Sequence, residues 1–384
     1  MSNKNIKVAL VIKTNGLEYD DRVRKEIVTV STLFPNISFK IFAMLPVNEE
    51  REGITGYGTP YKTIYIPARD KYGPSQKTFL KSYQFYKAVK DDLKSFDIVW
   101  AADNSATIFP LLVKSDKLLW DLHELPSDIL GIKGGKYLLR YIFHRCKLLI
   151  HANQQRIDYL KEVGVITQPE KHYVIRNYPN FDDIDKEYDQ SYTDFVKWKN
   201  ERRCVYLQGL ANDSRSAYET VTAVMKFPDL CAVVVGGFDA KIKIKLIGEF
   251  GDSLTERIRF VGSIAQLKIP QYVKQCFMSL IFYKNANPNN YYCEANRFYQ
   301  SVILGLPVVV GNNPSMKELV NQYGFGVAID DDGRDVAKMV DGMKQIMEHY
   351  DEYCGNIEKN KHFLYWDNQN DMFIKIINRL LDEG

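Results

Sequence analysis

The feature that most constrains this chain is a twice-repeated alternation of short apolar runs with longer amphipathic stretches. The runs at 6–12, 39–45, 63–67, 98–102, 118–122, 148–152 and 173–175 are almost unbroken and rich in β-branched or aromatic residues. A strand wetted on one face alternates apolar and polar positions, so unbroken runs predict strands buried on both faces of a parallel sheet. Between them, 20–33, 77–94 and 135–146 carry helical periodicity. Alternating β and α units predict a doubly wound α/β layer. The pattern lapses over a charged, aromatic stretch that reads as a linker, then resumes with runs at 204–208, 232–235, 258–261, 280–283, 307–310 and 326–329.

The expected fold is therefore α/β, with two Rossmann-like, doubly wound domains facing each other across a cleft. Its expected parts are a first domain 1–180, a linker 181–203, a second domain 204–355 and a helical tail 356–384 that packs back on the first. The 384 residues suit this division, since domains of roughly 150–200 residues are ordinary. Sheets of this kind bind ligands at the carboxyl ends of their strands.

Composition narrows the function classes. A net charge of +3 gives no support to nucleic-acid binding. The six cysteines (146, 204, 231, 276, 293 and 354) form no Cys-x-x-Cys pair, which argues against zinc and against a disulfide framework and suits a reducing compartment. The polar start runs directly into a strand, so no leader is expected. No apolar run approaches the ~18 residues of a membrane span. The expectation is a cytoplasmic protein, with peripheral attachment to a membrane left open.

Chemistry-bearing residues gather where strands end. The first strand ends at Lys13-Thr14-Asn15-Gly16, just before a helix opening near Asp20. Gly16 allows close backbone approach to a ligand, or serves a simple tight turn. A single glycine is not Gly-x-Gly-x-x-Gly, so a nicotinamide cofactor is not expected. Another run ends at Asp121-Leu122-His123-Glu124-Leu125, where His123 either meets a ligand or is satisfied by Asp121 or Glu124. In the second half, Gly209 and Arg215 lie between a strand and a helix, with Arg215 expected just inside that helix. Arg215 is placed to meet a diphosphate, or is a solvated surface cation.

The richest stretch is 287–300, a turn-rich loop leading into Glu294-Ala295-Asn296-Arg297-Phe298-Tyr299-Gln300 and then Gly305-Leu306-Pro307. A helix is expected to open near Glu294, with Arg297 in its first turn. Free N–H groups at a helix start hold phosphate. A side chain facing phosphate, as Arg297 would, is expected to support little packing.

Taken in order, these pieces resemble the retaining glycosyltransferases of family 4, which have the GT-B fold. The matching pieces are Asp21-Arg22-Val23, Asp-x-His-Glu-Leu, Val174-Ile175-Arg176-Asn177, Phe260-Val261-Gly262-Ser263, and Asn296-Arg297-Phe298-Tyr299-Gln300 before Gly-Leu-Pro-Val. The resemblance implies a nucleotide-sugar donor, UDP-linked by preference, held chiefly by the second domain. It also implies a glycan or lipid-linked glycan acceptor on the first domain, with no metal and no cofactor. His123 would touch the donor sugar, while Arg215 and Arg297 would hold the diphosphate. Gly262 and Ser263 would lie at the base, and Gln300 at the ribose. Asn15, Gly16, Gly209, Glu294 and Asn296 complete the implied donor site.

The sequence departs from the family at three points. The family's Glu-x7-Glu pair falls on Tyr292 and Gln300, and the usual Arg after the first glycine of the second domain is Leu210. Glu294 stands two positions on as a substitute for the first carboxylate. Two alternatives follow: a nucleotide-sugar 2-epimerase of the same fold, and a donor-binding scaffold without activity.

Other candidates are weaker. Asp183-Ile184-Asp185 imitates a metal-binding pair but sits in the linker, and Asp330-Asp331-Asp332-Gly333 reads as a turn. Two basic, aromatic stretches are either solvated helix faces or surfaces for anionic lipid. One contains Lys77, Lys81, Lys87 and Lys90. The other contains Lys133, Lys136, Arg140, Arg145 and Lys147, with no acidic residue between Ile129 and Ile150.

Overall fold

A computed structural model describes residues 5–14, 16, 17, 20–45, 51–73, 76–103, 107–180, 188–210 and 212–382. Asn15 and the Asp183–Asp185 motif lie outside them. The chain forms two compact units. The first is 1–177 with 369–384, and the second is 178–368.

The apolar runs of the first unit become an eight-stranded sheet among the described residues, in the order β3-β4-β2-β1-β5-β6-β7-β8. The strands are β1 (Ile6–Lys13), β2 (Ile37–Met44), β3 (Glu52–Ile54), β4 (Pro60–Thr63), β5 (Ile98–Ala102), β6 (Leu118–Leu122), β7 (Leu148–His151) and β8 (His172–Val174). All neighbours pair in parallel except β3 with β4. Residues 8–12 of β1 are buried on both faces, which requires helices on both sides. The run expected as a strand at 63–67 only begins as one. Pro67 opens the short helix Pro67–Tyr72 instead, because proline suits a first helical turn and cannot donate to a ladder.

The helix Asn370–Leu381 buries Phe373, Ile376, Ile377 and Leu380, one apolar stripe, against the helix Asp21–Leu33 and β8. The chain enters this unit again through Gln369, whose side chain accepts from Arg176 N (2.6 Å) and donates to Arg176 O (2.9 Å). The segment that returns is thus 369–384. Residues 356–368, expected in the tail, belong to the second unit, where Ile357 and Leu364 join the core around Phe298 and Met316.

The second unit carries six parallel strands in the order β11-β10-β9-β12-β13-β14. They are β9 (Arg203–Gln208), β10 (Leu230–Val235), β11 (Ile258–Gly262), β12 (Met278–Ile281), β13 (Val308–Val310) and β14 (Gly326–Ala328). Part of the expected linker is the helix Gln190–Lys199, capped by Asp189. Its Phe195 is fully buried against Tyr272, with ring centroids 5.1 Å apart. Charged residues between Tyr192, Phe195 and Trp198 hid this periodicity in the sequence. No helix among the described residues is long and apolar enough to cross a membrane.

Candidate functional site

In the second unit the site residues are carried by the carboxyl ends of β9 and β12. The chain leaves β9 through Gly209 at φ +65°. The backbone shape calls for glycine, and a Cβ there would lie 2.7 Å from Arg215 Nη1 and displace that side chain. Residues Asp213–Arg215 then form a 3-10 turn, and the helix starts only at Ala217. Arg215 therefore sits just ahead of that helix rather than inside it. Local polar bonds hold the turn: Ser214 Oγ donates to Asn212 Oδ1 (2.6 Å), and Lys284 N donates to Ser214 O (2.8 Å).

Arg215 and Arg297 meet around one aromatic ring. Arg215 donates from Nη1 to Gly209 O (2.8 Å), and its Cζ lies 5.4 Å from the Tyr283 centroid. Arg297 lies in the first turn of the helix Asn296–Ile303, two residues later than the expected start at Glu294. Its guanidinium donates to Gln208 O and to Phe282 O (3.1 Å), and its Cζ is 5.0 Å from the same ring. Arg297 is only 4% exposed, so the expectation that it supports little packing is wrong. It ties β9 to β12 through their terminal carbonyls. Burial, with Arg215 alongside, holds the Arg297 guanidinium below its ordinary pKa. Burial pushes the Tyr283 hydroxyl up to about 12.

Among the described residues neither arginine makes an ion pair. Lys284, one residue beyond Tyr283, is the contrast: Asp213 (2.7 Å) and Glu219 (2.8 Å) both neutralise it. The remaining expected residues are arranged as follows. Gln300 lies one turn on from Arg297, and its buried Oε1 accepts no hydrogen bond. Glu294 accepts from the Tyr299 hydroxyl. Asn296 is exposed at the helix start, where Ala295 in the capping position makes no side-chain cap bond. Gly262 ends β11 at φ +80°, its carbonyl accepting from Gly236 N (2.7 Å), and Ser263 beside it is exposed. Asp331 accepts from the backbone N–H groups of Gly333, Arg334 and Asp335, the turn expected there.

The first unit builds a different arrangement at the end of β6. His123 Nε2 lies 2.9 Å from Asp121 Oδ2. Asp121, fully buried, also accepts from Arg22 Nη2 (2.8 Å) and Nε (3.2 Å). Arg22 Nη1 donates to Ile175 O (2.9 Å), and its Nε is 3.0 Å from Glu26 Oε1. Burial alone would push the His123 imidazole down, but the Asp121 carboxylate overrides it and lifts the pKa to about 9. Burial, reinforced by Asp121, raises the Glu26 carboxyl well above its ordinary value. The ligating atoms of Glu26, Asp121 and His123 lie within 4.8 Å of one another. Arg22 and the His123 proton already fill this cluster with positive charge. Of the expected pair beside β1, Gly16 follows the strand end directly and its N–H faces Thr14 Oγ1.

Sequence reasoning quoted Asp21-Arg22-Val23 and Asp121-x-His123 separately and missed that Arg22 and Asp121 are partners. The signal was available in kind, since a charged residue in each of two apolar elements has to find a partner.

No family model and no curated protein matches this sequence. Solved structures do. Sucrose-phosphate synthase from Thermosynechococcus elongatus superposes with a TM-score of 0.77 at 15% identity, over 98% of this chain and 99% of that one. HepE of Anabaena in complex with UDP gives 0.70 at 13%, over 97% and 100%. The α,α-trehalose 6-phosphate synthase of Burkholderia multivorans gives 0.70 at 13%, over 97% and 98%. The fold is GT-B. Each GT-B unit here presents charged side chains where its strands end; in the second, among the described residues, Arg215 and Arg297 donate to backbone carbonyls and make no ion pair.

Proposed function

We propose that this chain is a metal-independent, retaining glycosyltransferase of the family 4 type. It moves sugar from a UDP-sugar to a glycan or lipid-linked glycan in cell-surface polysaccharide synthesis. The observation that carries this reading is the Arg215–Tyr283–Arg297 cluster at the ends of β9 and β12. HepE, of the same fold, has been solved with UDP-glucose.

In this reading negative charge grows on the departing diphosphate, and two preorganised guanidiniums plus the uncapped helix start answer it. That is the role a divalent ion plays elsewhere, hence the metal-free assignment. Gly209 lets the phosphates approach the backbone, and Gln300 Oε1 takes a ribose hydroxyl that supplies its missing donor. His123 meets the sugar as an imidazolium, with Asn15 and Gly16 at the β1 loop. Gly262 and Ser263 flank the base, and Glu294 and Asn296 the sugar hydroxyls. The sequence offers no clear nucleophile for this step, so displacement occurs on one face, with the leaving phosphate oxygen taking the proton of the incoming hydroxyl. An epimerase would need carboxylates for its elimination, and the two that the family carries are Tyr292 and Gln300 here.

Thermal shift with a nucleotide-sugar panel in EDTA tests this directly. UDP at about 100 times its dissociation constant adds about 2.7 kcal/mol. Stabilisation that appears only with Mg²⁺ or Mn²⁺ overturns the metal-free assignment, and none with any nucleotide overturns the reading.

Peripheral attachment to the inner face of the plasma membrane is favoured by one observation. The helix Gly135–His144 and the turn before it expose Tyr137 (61%), Tyr141 (58%) and Ile132 (49%) beside Lys133 and Lys136. Lys81 does not belong to the other expected basic face, being buried. Sedimentation with anionic vesicles should weaken as salt rises, each cation contributing about 1 kcal/mol. Binding that survives charge reversal at Lys136 and Arg140 overturns the attachment.

A further inference from the structure

The helix Ala240–Phe250 lies between β10 and β11 in the second unit and is apolar on two sides. Its inward side carries Ile242, Leu246 and Phe250 at four-residue spacing, packed with the core around Val234 and Leu254. One buried stripe is all that a surface helix needs to stay in place. Yet Ile244 is 70% exposed and Ile247 44%. With Ala240 and Gly248, also exposed, they form a second stripe at positions i, i+4, i+7 and i+8, a spacing that shares one face. Water therefore meets a continuous apolar strip rather than scattered single side chains.

Charge beside the strip changes sign along the helix. Lys241 and Lys245 are exposed toward the amino end, and Glu249 and Asp252 toward the carboxyl end. Lys245 Nζ lies 3.6 Å from the Tyr218 centroid, and the Tyr218 hydroxyl donates to Glu249 (2.6 Å), so both charges are held at the rim. Such a face complements itself when a second copy is turned end for end. A two-fold axis level with Leu246 sets Ile244 against Gly248 of the second copy, where the absent side chain lets the helices approach. It sets Ile247 against the stem of Lys245 of the second copy. Lys241 then comes within about one residue's rise, ~1.5 Å, of Asp252 of the second copy, and Lys245 within about two of its Glu249. Each contact is made twice. A bilayer matches the strip less well, because Glu249, Asp252 and Glu256 would be carried onto an anionic surface.

We infer that the helix Ala240–Phe250 is a self-association surface, through which two copies of this chain pair antiparallel across Ile244, Ile247 and Gly248. The inference does not rest on the transferase reading. One helix against its copy falls short of the ~1,000 Å² of a permanent interface, so the dimer is reversible.

Sedimentation velocity of the full chain over a concentration series tests it. Monomer should dominate near ~1 µM and dimer by ~300 µM. Ile244→Asp, at an exposed position that leaves the core intact, should weaken the dimer at least about tenfold. Raised salt should weaken it as well. Lys241→Glu sets acids against acids and Asp252→Lys sets cations against cations, so each variant alone should stay monomeric over the same range. Mixed in equal amounts the two should associate again, since one copy is then acidic at both ends and the other basic at both.

Absence of that rescue overturns the antiparallel pairing. A chain that stays monomeric at ~300 µM overturns the surface, and so does a dimer indifferent to Ile244→Asp. Sedimentation with anionic vesicles that Ile244→Asp abolishes would give the strip to a membrane and overturn the inference too. Failure of every form to bind UDP would remove the transferase reading and leave the dimer standing.

Discussion

The two units bury cations in opposite ways. In the first, Arg22 and the His123 imidazolium share the Asp121 carboxylate, and burial pushes the Glu26 carboxyl beside them up. In the second, Arg215 and Arg297 lean on Tyr283 and donate to backbone carbonyls. A carbonyl satisfies an N–H but does not cancel its charge, whereas a carboxylate does both. The first unit therefore holds a proton on His123 against a carboxylate that both cations share. The second leaves its charge for something that arrives. Lys284 shows that the second unit can neutralise a cation in the same neighbourhood, so the bare pair at Tyr283 is specific to that position.

The largest effect expected from this contrast is on stability in the first unit. Arg22→Met leaves Asp121 buried without its guanidinium, which costs about 3–5 kcal/mol. Hydrogen exchange of the full chain resolves where this falls: β5 to β7 should open more readily while β9 and β10 keep their protection. Arg22→Met combined with Asp121→Leu should recover much of the loss, since replacing both partners by apolar groups removes the stranded charge. A single variant within about 1 kcal/mol of wild type would mean that the pair does not hold this unit together.

Next in size is Arg297. Arg297→Ala should cut turnover about 10²–10³-fold, by analogy with removing one donor from a charged transition-state site. It should also lower stability by about 1–3 kcal/mol, because Gln208 O and Phe282 O lose their donor. Arg297→Lys should restore part of the activity. The measurement is kcat/KM for all three forms well below their melting temperatures. A folded, active Ala variant within threefold of wild type would put the donor site elsewhere.

The contrast between units was only half legible beforehand. Unbroken apolar runs marked most of the strands, because burial on both faces leaves no polar position to confuse the period. The hairpin β3–β4 was not visible, since Glu52–Ile54 and Pro60–Thr63 are short edge strands set by a turn rather than by burial. Arg297 was legible as a cation at a helix start but not as a tie between strands, because nothing local to 294–300 names Gln208 or Phe282 as partners. Arg22 and Asp121 are 99 residues apart. A sequence presents such clusters as ordinary surface charge until the fold brings them together.

Histidine titration sharpens the contrast within the first unit itself. His151 Nε2 lies 2.8 Å from His172 Nδ1, and burial depresses both, His172 to about 3. Their folded values lie below the ~6.5 of an unfolded chain. The stability they contribute is present above that value and is lost as pH falls, by roughly 2 kcal/mol for His172 at pH 5. His123 runs the other way. Its folded value is raised to about 9, so its contribution is complete below ~6.5 and is lost as pH rises through 9. Protection of β6 to β8 against exchange should therefore be greatest near pH ~6.5. His172→Phe should flatten the acid side alone, and Asp121→Asn the alkaline side alone. A single change that flattened both sides would show that the two clusters are not independent.

The smallest expected effect belongs to Arg215, and it decides whether the bare pair in the second unit acts as a pair. Arg215 is half-buried and makes one hydrogen bond, to Gly209 O, so truncation should change stability by no more than about 0.5 kcal/mol. If its charge serves the diphosphate, Arg215→Ala should still weaken UDP by about tenfold, one charge-assisted contact. The double variant with Arg297→Ala should then lose less than the product of the single losses. Removing Arg215 relieves the repulsion that Arg297 feels, and the two cations answer the same anion. Measuring UDP affinity across this cycle separates the outcomes. Strictly multiplicative losses would mean that the arginines serve different groups, and the contrast with the first unit would then rest on Arg297 alone.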